Sequence, residues 1–442
     1  MEDRCDVIVI GGGIVGCATA YFLSSNPDFS GSVIVLEPDP AYTYSSSTLS
    51  ASSIRTQFSN ALNIKISQYG FEVLTSFHDL MSVENDRPDL KFHAGGYLFL
   101  AETDAQVEIM KQNYSVQLAN DADVVLWSPS ELASSFPHLN VADIKLASYG
   151  LSGEGWFDNA DFLNGFKRKA ESLGVRFIKD EAIGFNIEKQ SLKSVKLRSG
   201  KKIEADYFVN AAGSRAGKIA KYAGINVPVV PRKRTVFVFD CDQSPQGSAA
   251  VNMGLLPLMV DSTGVYCRPE GNVFICGCTP KEDLDVDFND FNPNYTEFDD
   301  IIWPALANRS SYFESIKVRN YWAGHYAYNV LDQNMILGCH PAIENLYFAN
   351  GFSGHGLQQA PATGRGLSEL IIYRGFRSLD LSPFSPFQMP HQASTPQSQR
   401  ILLDSIVSFL FFSLTPISTQ KHIPKTVGRR FYPTHPTRGD FD

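Results

Sequence analysis

The sequence is short of basic residues, of patterned cysteines and of long apolar runs. Its 442 residues carry a formal net charge of −9 at pH 7, which argues against nucleic acid as a partner, because phosphate binding needs a basic surface. The seven cysteines form no paired framework and fit a reducing compartment. Cys276 and Cys278 flank one glycine, but without a second cluster a structural role is favoured over a zinc site. We therefore expect no metal.

No segment of the sequence is a convincing membrane span. The most apolar late stretch, residues 401–414, is too short for a comfortable span and contains Asp404. Residues 386–442 are otherwise rich in Ser, Thr, Pro and Gln, which predicts a largely disordered tail. A membrane-contacting tail with a basic end is the alternative. The first predicted strand begins within a few residues of Met1, so we expect no signal or transit peptide ahead of the fold.

The N-terminal 37 residues contain a dinucleotide-binding pattern. "DVIVI" predicts a strand buried on both faces, and Gly11, Gly13 and Gly16 then supply GxGxxG. The first glycine permits the tight turn, the second lets the backbone approach a pyrophosphate, and the third allows close packing of helix and strand. The pattern predicts phosphate binding at this turn.

The residues after the glycines support this prediction. A small, apolar helix is predicted from Ile14 to Leu23, and the amides of its first turn, at Ile14 and Val15, favour phosphates. A second predicted strand ends in Glu37, whose carboxylate can accept hydrogen bonds from ribose hydroxyls. That acid disfavours a 2′-phosphate, which leaves FAD or NAD.

Two distant segments favour FAD. Residues 205–220 form another apolar strand running into Ala212 and Gly213, and residues 347–359 read "YFANGFSGHGLQQ". Three glycines within six residues indicate a tight turn or a flat group pressed against the backbone. Together with the GxGxxG turn, these make three segments at which the backbone can approach a ligand. A nicotinamide site rarely needs three such segments, so a broad flavin ring explains them better.

Five motifs in order resemble one known family. "DVIVIGGGIVG", "GWFD", "VNAAG", "WAGHYAYNVLDQN" and "ANGFSGHGLQQAP" together resemble the D-amino-acid oxidase superfamily of FAD-dependent amine oxidoreductases. The resemblance implies that the GFSGHG loop lies along the flavin ring, that Ala182 presents its backbone to the adenine, and that Ser46, Ser47 and Thr48 lie near the pyrophosphate. The loop residues so implied are Gly351, Phe352, Ser353, Gly354, His355, Gly356 and Leu357.

The resemblance also implies candidate catalytic residues. Arg55 is expected either to bind a substrate carboxylate through its planar fork or to form a structural salt bridge. Arg268 lies on a strand that is expected to face the ring. His355 is either a base or, more simply, an anchor of its loop. His325 is expected to line the wall of the ring with two tyrosines, for which aromatic packing is the simpler role.

Departures from the family pattern narrow the chemistry. The positions at which relatives attach FAD covalently hold no cysteine or histidine here, so we expect non-covalent FAD. The oxidases carry a lysine near the flavin, whereas the corresponding stretch around Ile275 has none. This difference favours a dehydrogenase with an unknown electron acceptor.

The segments are expected to build a two-domain α/β (α+β) fold. A discontinuous Rossmann-like FAD-binding domain alternates with a substrate domain of mostly antiparallel sheet. The expected FAD-binding parts are residues 1–80, 145–225 and 325–385, the substrate parts are 81–144 and 226–324, and the tail is 386–442.

The function expected from the sequence is FAD-dependent oxidation of a small secondary or tertiary amine or an N-methylated amino acid. The resemblance implies an alternative, a mitochondrial assembly factor that works with subunits of respiratory complex I (NADH dehydrogenase) and keeps FAD mainly as a structural element. A mitochondrial location rests on resemblance alone, with the cytoplasm as the alternative.

Overall fold

The computed structural model describes residues 3–385. The tail predicted for 386–442 lies outside the described residues. The strands are β1 (Asp3–Ile10), β2 (Val33–Leu36), β3 (Ser53–Ile54), β4 (Tyr97–Ala101), β5 (Val124–Trp127), β6 (Leu146–Gly150), β7 (Gly155–Trp156), β8 (Arg176–Ile178), β9 (Ala182–Glu188), β10 (Ser191–Leu197), β11 (Lys202–Asn210), β12 (Val229–Cys241), β13 (Leu258–Val260), β14 (Tyr266–Glu270), β15 (Val273–Gly277), β16 (Ile316–Asn329), β17 (Ile336–His340) and β18 (Ile343–Asn350). The helices are α1 (Ile14–Ser24), α2 (Ala61–Thr75), α3 (Phe77–Leu80), α4 (Asp104–Leu118), α5 (Pro129–Ser135), α6 (Asn159–Ser172), α7 (Ala216–Tyr222), α8 (Trp303–Arg309) and α9 (Gly356–Tyr373).

One sheet is the predicted dinucleotide-binding sheet. Its main path runs β17-β18-β11-β1-β2-β8, and the strands from β18 to β8 are parallel. Val7 and Val9 pack under α1, α6 and α9, while Ile8 and Ile10 pack in a second core with α7. Burial on both faces explains why "DVIVI" is apolar without alternation.

The other large sheet is mostly antiparallel, as the sequence predicted. Its order is β16-β12-β15-β14-β13-β4-β6-β5, and only the β13–β4 pair is parallel. One face packs on α5 and α8 around Phe237 and Phe239. The opposite face carries the alternate residues, such as Tyr97 and Phe99, towards a large cavity. The fold class expected from the sequence is confirmed.

Two strands lie on the other side of the expected domain boundaries. β6 was assigned to the FAD-binding part that begins at residue 145, yet it pairs with β4 and β5 in the second sheet. β16 runs past residue 324 and pairs with β12 along its whole length. Each strand follows its pairing partners, because an unpaired buried strand would leave peptide groups without hydrogen bonds.

Helices α1 and α9 cross closely over the parallel sheet. Both begin at the cavity, because their N-cap residues, Gly13 and His355, line it. At the crossing, a Cβ added to Gly364 would lie 2.7 Å from the backbone carbon of Ala18. The backbones of the two helices therefore meet without an intervening side chain, and this contact holds the two glycine loops side by side. Among residues 3–385, no helix combines the length and hydropathy that a membrane crossing requires.

Candidate active site

A cavity of about 1200 Å³ lies where the parallel strands end against the second sheet. Ile10, Leu36 and Ala349 mark the carboxyl ends of β1, β2 and β18 along its floor. Ligands of open α/β sheets bind at this edge. Its opposite wall is the face of the second sheet that carries Tyr97 and Phe99, so one continuous space runs from the nucleotide-binding turns to the predicted substrate domain.

The first glycine turn has the geometry that the sequence predicted. Gly11 has a φ of 102°, and a Cβ there would lie 2.5 Å from the carbonyl oxygen of Ala211. A Cβ at Gly16 would lie 1.9 Å from the carbonyl oxygen of Gly11. Both positions need glycine, the first for conformation and both for space.

Glu37 ends β2 beside this turn. Its carboxylate accepts hydrogen bonds from the backbone N–H of Gly12 at 2.9 Å and of Asp39 at 2.8 Å. Burial raises the pKa of Glu37. The side chain is thereby fixed at the cavity wall, where a ribose hydroxyl can reach it.

The N-terminus of α1 opens towards the cavity beside a serine-rich loop. Ser47 Oγ accepts a hydrogen bond from the N–H of Ile14 at 3.0 Å, while Ser46 Oγ donates to the carbonyl of His325 at 2.6 Å. These hydroxyls and the helix amides form a polar cradle of the kind that binds phosphate. The cradle fits the pyrophosphate of a dinucleotide.

Most of the predicted cofactor residues line this cavity. Those that do are Gly11, Gly13, Ile14, Val15, Glu37, Ser46, Ser47, Ala182, Ala212, Gly213, Phe352, Ser353, Gly354, His355, Gly356 and Leu357. Gly16, Thr48 and Gly351 are not lining residues. Gly16 serves packing, Thr48 Oγ1 donates to the carbonyl of Tyr42, and Gly351 adopts a φ of 73° in the turn behind the lining.

The GFSGHG loop is fastened to the end of β16. Ser353 N–H donates to the carbonyl of Ala327 at 2.9 Å, and Ser353 Oγ accepts from the N–H of Asn329 at 3.0 Å. A Cβ on Gly354 would lie 2.5 Å from the ring of Tyr326. The glycines therefore keep the loop flat between an aromatic wall and the cavity.

Arg55 and His355, far apart in sequence, meet at the cavity. Arg55 Nη2 lies 3.1 Å from His355 Nε2, and because a guanidinium can only donate, the imidazole nitrogen accepts. The Arg55 guanidinium also lies over the ring of Phe58, 4.1 Å from its centroid. The side chain of Gln358 accepts the backbone N–H of Arg55 at 2.8 Å. Arg55 is thus held at the cavity from several sides.

The structure favours the anchoring role of His355 over the role of a base. Burial, with the neighbouring Arg55 charge, lowers the pKa of His355 to about 3. A histidine with so low a pKa stays neutral at physiological pH and holds a proton poorly. Its ring instead accepts the Arg55 hydrogen bond.

We expect His355 to make the protein less stable in acid. Its folded-state pKa lies below the unfolded value of roughly 6.5, so its stabilising effect is complete above that value and is lost as the pH falls towards about 3. Between pH 8 and pH 5 the loss is about 2 kcal/mol. Urea unfolding of the FAD-loaded protein should show this loss in the parent and not in His355→Gln. His78→Gln, at an exposed histidine, is the control, and equal pH dependence of parent and His355→Gln would contradict the expectation.

His325 reaches the cavity wall, and contacts with two neighbouring residues hold its ring. Its ring stacks on Phe291 with centroids 4.1 Å apart, and Nε2 donates to the carbonyl of Asp290 at 2.7 Å. Burial lowers the pKa of His325. The contacts indicate that His325 anchors the segment which carries its two partners.

Arg268 is not among the residues that line the cavity. It is 3% exposed, and its guanidinium donates to the carbonyls of Ala51 and Pro269, each at 3.0 Å, and pairs with Glu270. It also lies over the ring of Trp156. These contacts engage the Arg268 guanidinium in interactions within the protein, so they do not support its predicted catalytic role.

A strap, defined as residues 279–294, forms a cavity wall that the sequence did not predict. Arg234 pairs with Asp283 through two hydrogen bonds of 2.6 and 2.8 Å, and Lys233 pairs with Asp290 at 2.6 Å. Lys281 on the strap also lines the cavity. The cavity therefore does hold a lysine, although not on the strand around Ile275. The sequence did contain a signal for this wall. A basic run begins at residue 232 and the strap is acidic, and opposite charges pair across neighbouring segments.

The adenine end holds another group that the sequence did not predict. Glu181 pairs with Arg198 at 2.5 Å and with Lys218 at 3.1 Å, and all three line the cavity beside Ala182.

The structure gives no support to a metal site at the cysteines. Cys276 is buried in the core of the second sheet, and burial raises its pKa. Within the described chain, no three His, Cys, Asp or Glu side chains lie together as metal ligands would.

The fold and the glycine cradles define a flavin-dependent oxidoreductase. The chain belongs to the FAD dependent oxidoreductase family (DAO), which matches residues 6–370. It is 39% identical over 418 residues to "FAD-dependent oxidoreductase domain-containing protein 1" of Xenopus laevis, covering 87% of this chain and 82% of the relative.

Two further proteins to which the chain is similar are named as dehydrogenases. L-proline dehydrogenase from P. horikoshii superposes with a TM-score of 0.76 and 26% identity, over 88% of this chain and 98% of that one. "Dimethylglycine dehydrogenase, mitochondrial" of Homo sapiens is 24% identical over 401 residues, covering 87% of this chain and 44% of the relative. FAD is thus the cofactor of this chain, while non-covalent attachment stays a prediction.

Proposed function

We propose that the protein is a dehydrogenase that oxidises a small secondary or tertiary amine bearing a carboxylate, such as an N-methylated amino acid. When bound, FAD supplies the acceptor of the substrate hydride at flavin N5. The observation that carries the proposal is the position of Arg55 in the same cavity as the flat GFSGHG loop.

Many of the side chains that the second sheet contributes to the cavity are aromatic or aliphatic, namely Tyr97, Phe99, Val236, Leu258, Val260 and Tyr266. Arg232 and Arg234 of β12 line the cavity as well, paired with Asp285 and Asp283. An apolar wall excludes water and packs against N-alkyl groups, while a single arginine fork fixes a carboxylate bidentately. Burial raises the pKa of Tyr97 to about 12, so its hydroxyl stays neutral and able to donate. In this proposal the chain positions its substrate by the charge of Arg55 and by the shape of the apolar wall.

Anaerobic titration of the purified, yellow protein tests the proposal. Sarcosine, N,N-dimethylglycine or L-proline should bleach the flavin absorption, whereas dimethylamine, which lacks the carboxylate, should not. After admission of air, a dehydrogenase reoxidises slowly and forms little hydrogen peroxide unless an artificial acceptor is present. Failure of all three amino acids to bleach the flavin would refute the proposal, and fast peroxide formation would make the protein an oxidase.

The alternative, assembly of respiratory complex I with FAD as a structural element, stays a prediction. A flavin that no amine reduces, in a protein that co-purifies with complex I subunits, would support it. We also propose a mitochondrial location, supported by the similarity to a dehydrogenase named as mitochondrial. Fractionation of cells that express the full chain tests this location.

A further inference from the structure

A buried carboxylate lies directly behind the segment that carries Arg55. Glu154 is 1% exposed. Its Oε1 accepts the backbone N–H of Thr56 at 2.7 Å, the Thr56 hydroxyl at 2.9 Å and the backbone N–H of Gln57 at 3.1 Å. Its Oε2 accepts the side-chain amide of Gln57 at 2.8 Å. One carboxylate thus receives four hydrogen bonds from two consecutive residues.

The backbone brings Glu154 to this place through a small two-stranded sheet. Ser53 and Ile54 of β3 pair antiparallel with Trp156 and Gly155 of β7. Glu154 immediately precedes β7, and Arg55 immediately follows β3. The pairing therefore sets the carboxylate against the chain just beyond Ile54.

The site is built tightly around the carboxylate. A Cβ on Gly150 would lie 2.1 Å from Glu154 Oε2, so position 150 has no room for a side chain. Burial raises the pKa of Glu154, while the donors from Gln57 and Thr56 and the charge of Arg55 act against this rise. A charge buried so deeply is tolerated only when it is well hydrogen-bonded. The carboxylate and the segment therefore keep each other in one arrangement.

The same contacts orient a second cavity residue. Gln57 lines the cavity, and its side-chain oxygen accepts a hydrogen bond from Ser148 Oγ at 2.6 Å. Its side-chain amide also donates to the carbonyl of Tyr97 at 3.1 Å. Glu154 is thus linked to Arg55 along the backbone and to the aromatic wall through Gln57, without lining the cavity itself.

We infer that Glu154 is a positioning residue, which fixes the segment 55–57 so that the Arg55 fork meets the substrate carboxylate in one orientation. The inference rests on the proposed function. A bidentate ion pair depends steeply on orientation, since a misplacement of about 1 Å can cost on the order of 100-fold in rate. Without the carboxylate, the backbone N–H groups of Thr56 and Gln57 lose the acceptor that fixes this segment.

The test compares Glu154→Gln with Glu369→Gln in the FAD-loaded protein. Glu369 is a matched control because it is 5% exposed, accepts the backbone N–H of Arg377 and Ser378 at 2.7 and 3.1 Å, and lies 3.3 Å from an arginine. The probe is whichever of sarcosine, N,N-dimethylglycine and L-proline bleaches the parent flavin. Anaerobic stopped-flow measurements give its apparent Kd and the limiting rate of bleaching.

Glu154→Gln sets a donor against the side-chain amide of Gln57, and it should raise the apparent Kd about tenfold, which corresponds to one net hydrogen bond, and lower the limiting rate by a smaller factor. Glu369→Gln should lower the melting temperature but leave the apparent Kd unchanged. A parental Kd in Glu154→Gln, or an equal rise in both variants, overturns the inference.

A milder pair of variants serves if Glu154→Gln does not fold. Thr56→Val removes one hydroxyl donor to Glu154 and should raise the apparent Kd about threefold. Thr56→Ser keeps the hydroxyl and should have the parental Kd. An equal Kd in these two variants overturns the inference as well.

Arg55→Ala separates this inference from the proposed function. If Arg55→Ala weakens binding and Glu154→Gln does not, the positioning role alone fails. If Arg55→Ala leaves the apparent Kd unchanged, Arg55 does not hold the carboxylate, and the inference falls with that assignment. If none of the three amino acids bleaches the parent flavin, the proposed function fails and the inference fails with it.

Discussion

Arg55→Ala should reduce the bleaching of the flavin by a carboxylate substrate about 100-fold at limiting substrate, and the FAD content should stay the same. Loss of a charge-assisted, bidentate contact costs about 3 kcal/mol, which corresponds to this factor. FAD should be retained because the nucleotide cradle is built from the first glycine turn, Glu37 and Ser47 and does not depend on the contact between Arg55 and His355. Anaerobic stopped-flow spectroscopy measures the rate, and the absorbance ratio of flavin to protein measures retention.

Arg55→Lys is the control for charge. A lysine keeps the positive charge but loses the planar fork, so roughly a tenfold loss is expected. If Arg55→Ala lowers substrate response and FAD content equally, Arg55 supports the cofactor site, and its assignment to the substrate is wrong.

Gly364→Ala should destabilise the protein by about 2 kcal/mol and weaken FAD retention, because overpacking a buried contact costs this order of free energy. The added Cβ would lie 2.7 Å from the backbone carbon of Ala18 and 2.8 Å from the backbone nitrogen of Thr19. Helices α1 and α9 must then separate, and both glycine loops move with them. Urea unfolding measures the stability, and flavin fluorescence in the filtrate measures the released FAD.

Gly375→Ala is the matched control just beyond the same helix. No atom lies within 4 Å of a Cβ built at Gly375, so this change should alter neither quantity measurably. If Gly364→Ala retains parental stability and FAD, the close crossing of α1 and α9 does not set the geometry of the cavity.

The nucleotide half of the site could be predicted from the sequence because its signals are local. The strand, the turn at Gly11 and the acid at Glu37 follow one another within one short stretch of chain, and a sharp glycine turn tolerates few substitutes. The parallel sheet follows from this repeated pattern. Its apolar strands are continuous because helices cover both faces.

The substrate half depends on contacts that no short stretch of sequence displays. Arg55 and His355 meet only because β3 ends and α9 begins at the same cavity. Arg268 was predicted to bind a ligand because of its strand, but its guanidinium is engaged by Ala51, Pro269 and Glu270. Glu154 is one acid among many in the sequence, and only its contacts with Thr56 and Gln57 distinguish it.

Conformation explains a further difference from the family pattern. The resemblance to the D-amino-acid oxidase superfamily implies glycines at the positions where this chain has Ser52 and Ser53. Ser52 has a φ of 59°, in the region that glycine adopts most readily, whereas Ser53 lies in the extended strand β3. A serine can adopt this conformation at a modest cost, so the loop keeps its course with a different residue.

The crossing of α1 and α9 also affects how the protein is made. The ribosome delivers α1 first and α9 only after more than 300 further residues. Until then the apolar side of the early helix has no final neighbour, and the nascent polypeptide needs protection from aggregation. A message truncated before Gly356 would therefore not encode a smaller active enzyme. Its product would expose the apolar side of α1 that α9 covers.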